Sequence, residues 1–123
     1  MSFADYRDLV VWQKSMLLAK KVYQLISLLP SDEKYALADQ MKRAAISIPS
    51  NIAEGEARKS KREFIQFLSF ANGSRAELET QLLLCCEIGY LNRHQIEELM
   101  MMCEEISKMI YALVKKLRNT PPH

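Results

Sequence analysis

The chain is poor in the residues that make loops and chemistry. Only 3 Gly and 4 Pro occur in 123 residues, which leaves little material for turns and no glycine-rich loop to cradle a phosphate. Its two histidines, His94 and His123, have no helical i, i+4 partner for a metal and no nucleophile beside them in sequence. The inward Glu-x-x-His pattern of a di-metal carboxylate bundle is also missing. Of three cysteines, Cys85 and Cys86 are adjacent and Cys103 stands apart, so no C-x-x-C pair exists and any pairing leaves one thiol over. Adjacent helix positions diverge by about 100°, so these thiols read as small core residues in a reducing compartment. No catalytic residue, metal or cofactor is expected. No apolar run approaches the ~20 residues of a membrane span, and Met1-Ser2-Phe3-Ala4-Asp5 lacks the basic-then-apolar order of a signal peptide. A cytoplasmic protein without a membrane partner is the expectation.

What the chain has is helical periodicity. With 49% hydrophobic residues it can bury a real core, and its length suits a single domain over residues 1–123. Four segments stand out, at about 8–29, 32–54, 61–88 and 93–117. In the first, Trp12, Ala19, Val22, Ile26 and Leu29 recur at helical spacing until Pro30 stops the helix and Ser31 caps the next. In the second, Leu37, Met41, Ala44, Ile48 and Ile52 share a face, with Gly55 as a natural C-terminal residue. Ser60 and Glu63 form a capping box for the third, whose seam runs through Phe64, Phe67, Ala71, Leu78, Cys85 and Ile88 to Gly89. Asn92 and Gln95 stand in the same relation before Ile96, Leu99, Cys103, Ile106, Ile110, Leu113 and Leu117. Joins this short make neighbouring helices antiparallel, so the expected fold is all-α, an up-down-up-down four-helix bundle.

That topology sorts charge by end. Arg58, Lys59, Lys61, Arg62, Lys115, Lys116 and Arg118 gather at one pole, only partly offset by Glu54, Glu56 and Glu63. Asp32, Glu33, Asp39, Glu87, Glu97 and Glu98 gather at the other, against Lys34 and Arg93. A net charge of +2 hides this separation. Lys115, Lys116 and Arg118 suit a helix C-terminus, where cations are favoured. Lys61 and Arg62 occupy a first helical turn, where each is disfavoured by roughly 0.3–1 kcal/mol. Their placement points to an anionic partner, with a solvated surface as the bland alternative. No interleaved aromatic stack of the kind that holds single strands accompanies them.

The apolar stripes are wider than an isolated bundle needs. Val11, Leu18 and Leu25 flank the main face of the first helix, and Met100, Met102, Met109 and Val114 flank the seam of the fourth. Self-association is the expected cover, ahead of a heterologous partner helix or a bare Met-rich surface.

Pro49 interrupts the second helix. It cannot donate to the carbonyl of Ala45, and Ile48 would cap a restarted helix poorly, so one kinked helix is expected, with Ser47 or Ser50 available to the freed backbone. Arg43, Ser47, Asn51, Glu54 and Arg58 form a polar stripe along it, and Ser74 and Gln81 occupy seam positions on the third helix. A structural hydrogen-bond network of Ser47, Asn51, Glu54, Ser74 and Gln81 is the favoured reading; a ligand or partner site at Arg43, Asn51 and Glu54 is the alternative.

Asp8-Leu9-Val10-Val11-Trp12-Gln13-Lys14, Val22-Tyr23, and the run from Gln40 through Lys42-Arg43-Ala44-Ala45-Ile46-Ser47-Ile48-Pro49-Ser50-Asn51-Ile52-Ala53-Glu54-Gly55 carry a resemblance. Arg58, Ser60, Glu63-Phe64, Phe67-Leu68, Gly73-Ser74, Ala76 to Leu82 and Gly89-Tyr90 continue it. The chain resembles the bacterial four-helix-bundle proteins encoded in intervening sequences of large-subunit ribosomal RNA genes; the fourth helix matches in pattern alone. The resemblance implies a ring-like homopentamer and a small accessory protein. It also implies kinship with a branch serving diversity-generating retroelements, in which the pentamer binds a reverse transcriptase and its RNA through basic surface. The chain departs from that pattern in having Lys42 where Arg-Arg is commoner and in placing Glu56 beside the basic pole. The expected function is a non-enzymatic, homo-oligomeric accessory protein binding structured RNA or a ribonucleoprotein, with Lys42, Arg43, Arg58, Lys59, Lys61 and Arg62 as candidate phosphate contacts. A protein scaffold without nucleic acid is the rival.

Overall fold

The computed structural model describes residues 5–33 and 36–121. Asp5 accepts the backbone N–H of Arg7 at 2.8 Å and opens a single 3₁₀ turn, Tyr6–Asp8. After extended Leu9, α1 runs Val10–Ile26. The helix expected over 8–29 is therefore shorter, because its last residues tighten into i→i−3 bonds, Leu28 N–H to Leu25 O (3.0 Å) and Leu29 N–H to Ile26 O (3.1 Å). Pro30 disfavours helical angles at Leu29, which makes this the natural ending.

Helix α2 spans Leu37–Ala57. Ser31 does not cap it: Ser31–Glu33 form a separate 3₁₀ turn, and Ala36 precedes the helix without a side-chain cap. Of the expected early start at 32, positions 34 and 35 lie outside the described residues. The helix passes through Pro49 unbroken, so it does not restart there. It also passes through Gly55, which is not its end. A Cβ on Gly55 would lie 2.6 Å from Phe67 Cβ and 3.2 Å from Phe64 Cδ1. Glycine is needed there for the close approach of the next helix. The chain turns instead at Lys59, in the left-handed region at φ 55°.

Helix α3 is Lys61–Ile88 and α4 is Arg93–Asn119. Ser60 Oγ accepts the N–H of Glu63 at 3.3 Å, but the reciprocal half of that capping box is not made; the Glu63 carboxylate instead lies 3.8 Å from Arg58. Gly89, at φ 95°, ends α3 with Tyr90 N–H returning to Cys85 O at 2.9 Å. Asn92 and Gln95 complete both halves of their box, at 3.0 and 2.9 Å.

Each helix packs on its sequence neighbours, and α1 also packs on α4, which closes an antiparallel four-helix bundle. The α2–α3 contact is the most extensive. Leu18, Met41, Ile48, Ile52, Leu68, Leu82 and Ile106 are fully buried in the core of the bundle. Two faces differ from expectation. On α1, Val11, Leu18 and Leu25 are core residues, while Trp12 and Ala19 sit half-buried at the edge. On α3, Leu68 and Leu82 fill the seam, Phe67 is half-buried and Ile88 is exposed. Met102 of α4 belongs to the core, with Met100, Met109 and Val114 packed against it. The exposed apolar surface includes Met16, Leu17, Tyr23 and Ile46 on α1 and α2, Phe70, Leu84 and Ile88 on α3, and Met101 on α4.

Candidate nucleic-acid interface

The α2–α3 turn and the end of α4 meet at one pole. Lys61 Nζ donates to the carbonyl of Thr120, which ties the start of α3 to the residue after α4. The antiparallel order brings the start of α1 here too. Arg7 lies 2.5 Å from Asp5, and its side-chain and then backbone hydrogen bonds pull that exposed carboxyl down to about 2.

Carboxylates neutralise part of the pole. Arg58 pairs with Glu54 at 2.7 Å, a hydrogen bond that raises the guanidinium pKa further, and it also covers the Phe67 ring at 5.0 Å. Lys59 pairs at 2.5 Å with Glu56, a carboxylate only 7% exposed. Glu56 is buried but its lysine partner is exposed, so the acidic intrusion is neutralised at the surface. Among the described residues Arg62, Lys115, Lys116 and Arg118 have no carboxylate partner, and Lys61 spends its ammonium on a neutral carbonyl. The unbalanced positive charge therefore sits on the α3–α4 side of the pole.

Lys42 and Arg43 are not part of this patch. They precede Arg58 by 15 residues or more on α2, about 22 Å along the axis at 1.5 Å per residue. Lys42 lies over the Tyr23 ring at 5.4 Å, and Arg43 is exposed without a partner among the described residues.

Three of the five residues of the expected hydrogen-bond network meet. Asn51 Nδ2 donates to Ser47 O and to Ser47 Oγ, both at 2.8 Å, and Ser74 Oγ reaches across from α3 to Ser47 Oγ at 2.8 Å. Glu54 turns instead to Arg58. Gln81 Oε1 is buried with no hydrogen-bond partner.

Sequence reasoning missed one feature of the charged pole. A groove of about 440 Å³ runs between α3 and α4, with Ile65, Ile110 and Val114 among its apolar lining and Tyr111, Lys115 and Arg118 along α4. Tyr111 is 76% exposed. The signal lay in two stripes at helical spacing, Arg62, Ile65, Ser69 and Asn72 on α3 and Ser107, Tyr111, Lys115 and Arg118 on α4, which only the tertiary fold sets side by side.

Among the described residues no three His, Cys, Asp or Glu side chains are grouped to hold a metal ion, and no helix is long and apolar enough to cross a membrane. Cys103 is buried; desolvation above all, with the Glu79 carboxylate adding, pushes its thiol up to about 12.

Residues 7–112 match the family of 23S rRNA-intervening sequence proteins. The chain belongs to this family. The match takes in α1 to α3 and most of α4, and ends before Lys115. A crystal structure of a protein of unknown function from the S23 ribosomal protein family of Bacteroides thetaiotaomicron VPI-5482 is 31% identical, with a TM-score of 0.79. The alignment covers 86% of this chain and 99% of that one. No curated protein matches. Family membership thus agrees with the bundle derived from periodicity and caps.

Proposed function

We propose that this 23S rRNA-intervening sequence protein is a cytoplasmic, non-enzymatic, homo-oligomeric accessory protein that binds structured RNA or a ribonucleoprotein through its basic pole. The observation that carries the reading is the pole itself: Lys61, Arg62, Lys115, Lys116 and Arg118 converge from two helices with no carboxylate partner among the described residues. Solvated lysines at a helix C-terminus need no partner, but Lys61 and Arg62 stand at a helix start, where the dipole opposes them. A polyanion would offset that cost. Arg58 and Lys59 add reach at the rim while already paired with acids.

Binding of this kind is a counterion-release equilibrium. With about four phosphate contacts, affinity for a fluorescently labelled RNA hairpin should fall with a log–log salt slope of roughly −3 to −4. Lys61→Gln with Arg62→Gln should reduce that slope by about one for each contact removed. Anisotropy titrations at several salt concentrations measure both. Absence of binding, or binding indifferent to these substitutions and to salt, would leave the protein as a scaffold whose cations are solubilising.

A further inference from the structure

We propose that the groove between α3 and α4 takes one unpaired nucleotide of the bound RNA, its base stacked on Tyr111 and its flanking phosphates on Arg62, Lys115 and Arg118. The proposal rests on the RNA reading above and specifies where a base, rather than the backbone, is held.

Tyr111 presents most of its ring to solvent, which gives a base a free face for stacking. Beside it Ile65, Ile110 and Val114 give the groove an apolar lining, and its volume of about 440 Å³ lies within the 300–1,000 Å³ of small-ligand pockets. None of the residues lining it is acidic. The neighbouring α3–α4 groove nearer the acidic pole differs: Glu79, Glu97 and Glu104 line it beside Arg75, Arg93 and Lys108, so its charges balance and leave no excess for an anion. Lys115 follows Tyr111 by one turn and Arg118 by two, on the same face of α4, and Arg62 precedes Ile65 by one turn on α3. All three cations lack a carboxylate partner among the described residues. The α3 N-terminus favours an anion while the α4 C-terminus disfavours it, so the two dipoles largely offset and the side-chain charges decide.

The lone ring sets the size of the site. A single-strand channel needs successive aromatics to stack successive bases. One exposed tyrosine holds one base, the chemistry of a bulged or flipped nucleotide within a structured RNA. Ser69 and Asn119 on the groove walls supply hydroxyl and amide groups for the base edge.

Two RNA hairpins test this, one fully paired and one identical except for a single bulged 2-aminopurine. The wild-type protein should prefer the bulged hairpin about five- to 150-fold at fixed salt and should change the 2-aminopurine fluorescence on binding. Tyr111→Ala should abolish the preference and the fluorescence change while leaving the paired hairpin's affinity and salt slope intact; Tyr111→Phe should keep both. Binding of both hairpins with no preference, or a preference that survives Tyr111→Ala, overturns the groove assignment and leaves the basic-pole reading standing. Failure to bind either hairpin overturns both.

Discussion

Gly55 sits where α3 packs tightly on α2, and its missing side chain is the condition for that approach. Phe67 Cβ, 2.6 Å from where a methyl would stand, is fixed to the α3 backbone and cannot swing aside. Gly55→Ala should lower stability by about 1–3 kcal/mol through overpacking, although alanine favours a helix by ~1 kcal/mol in isolation. A urea midpoint shift toward lower concentration would show it. Cys103 supports a prediction of a different kind. Its thiol, pushed up to about 12 by burial, stays protonated in the folded chain while an unfolded thiol ionises near 9. The unfolded state therefore holds fewer protons above that point, and stability is lost as pH rises through the interval from about 9 to 12. The slope approaches 1.4 kcal/mol per pH unit for this one group. Guanidinium unfolding at pH 8 and 10 should show a steeper alkaline loss for the wild type than for Cys103→Ala.

At the scale of elements, the Ser47–Asn51–Ser74 cluster is a polar link between α2 and α3, with one member contributed by the second helix of the pair. A double-mutant cycle of Ser47→Ala and Ser74→Ala should give a coupling of about 0.5–1.5 kcal/mol, measured by denaturant unfolding. A coupling near zero would make the two serines independent. The ends of α3 and α4 were readable because their signals are local: Ser60, Gly89 and the Asn92–Gln95 pair act within a turn of themselves. The start of α2 was not, since Ser31 looks like a cap but closes a 3₁₀ turn of its own. Neither was the inward face of α1, where Trp12 and Ala19 compete with Val11 and Leu18 one step away. Adjacent apolar stripes leave the rotation to be settled by the partner helices. The basic pole could be read from topology and charge. Tyr111 could not, because its groove exists only once Ile65 of α3 stands opposite.

On the scale of the whole molecule, one apolar groove lies apart from the unpaired cations. Trp12, Met16, Tyr23, Ile46 and Pro49 line a groove of about 500 Å³ between α1 and α2, away from the α3–α4 side that carries the unpaired cations. In the proposed assembly this apolar face is covered by another copy. Met16→Glu with Ile46→Glu, two positions 46% and 45% exposed, should shift the light-scattering mass from that of an oligomer toward the 14.2 kDa of one protomer. An unchanged mass would place the contact on another face, and a monomeric wild type would remove the assembly. The three-residue turn and the extensive α2–α3 packing also bear on the order in which the molecule forms. Closing so short a connection costs little chain entropy, so α2 and α3 can pair before the more distant α1–α4 contact is made. The Gly55 contact then belongs to the folding nucleus. Gly55→Ala should slow refolding more than it hastens unfolding, whereas trimming Leu18 on the later-docking α1 should do the reverse.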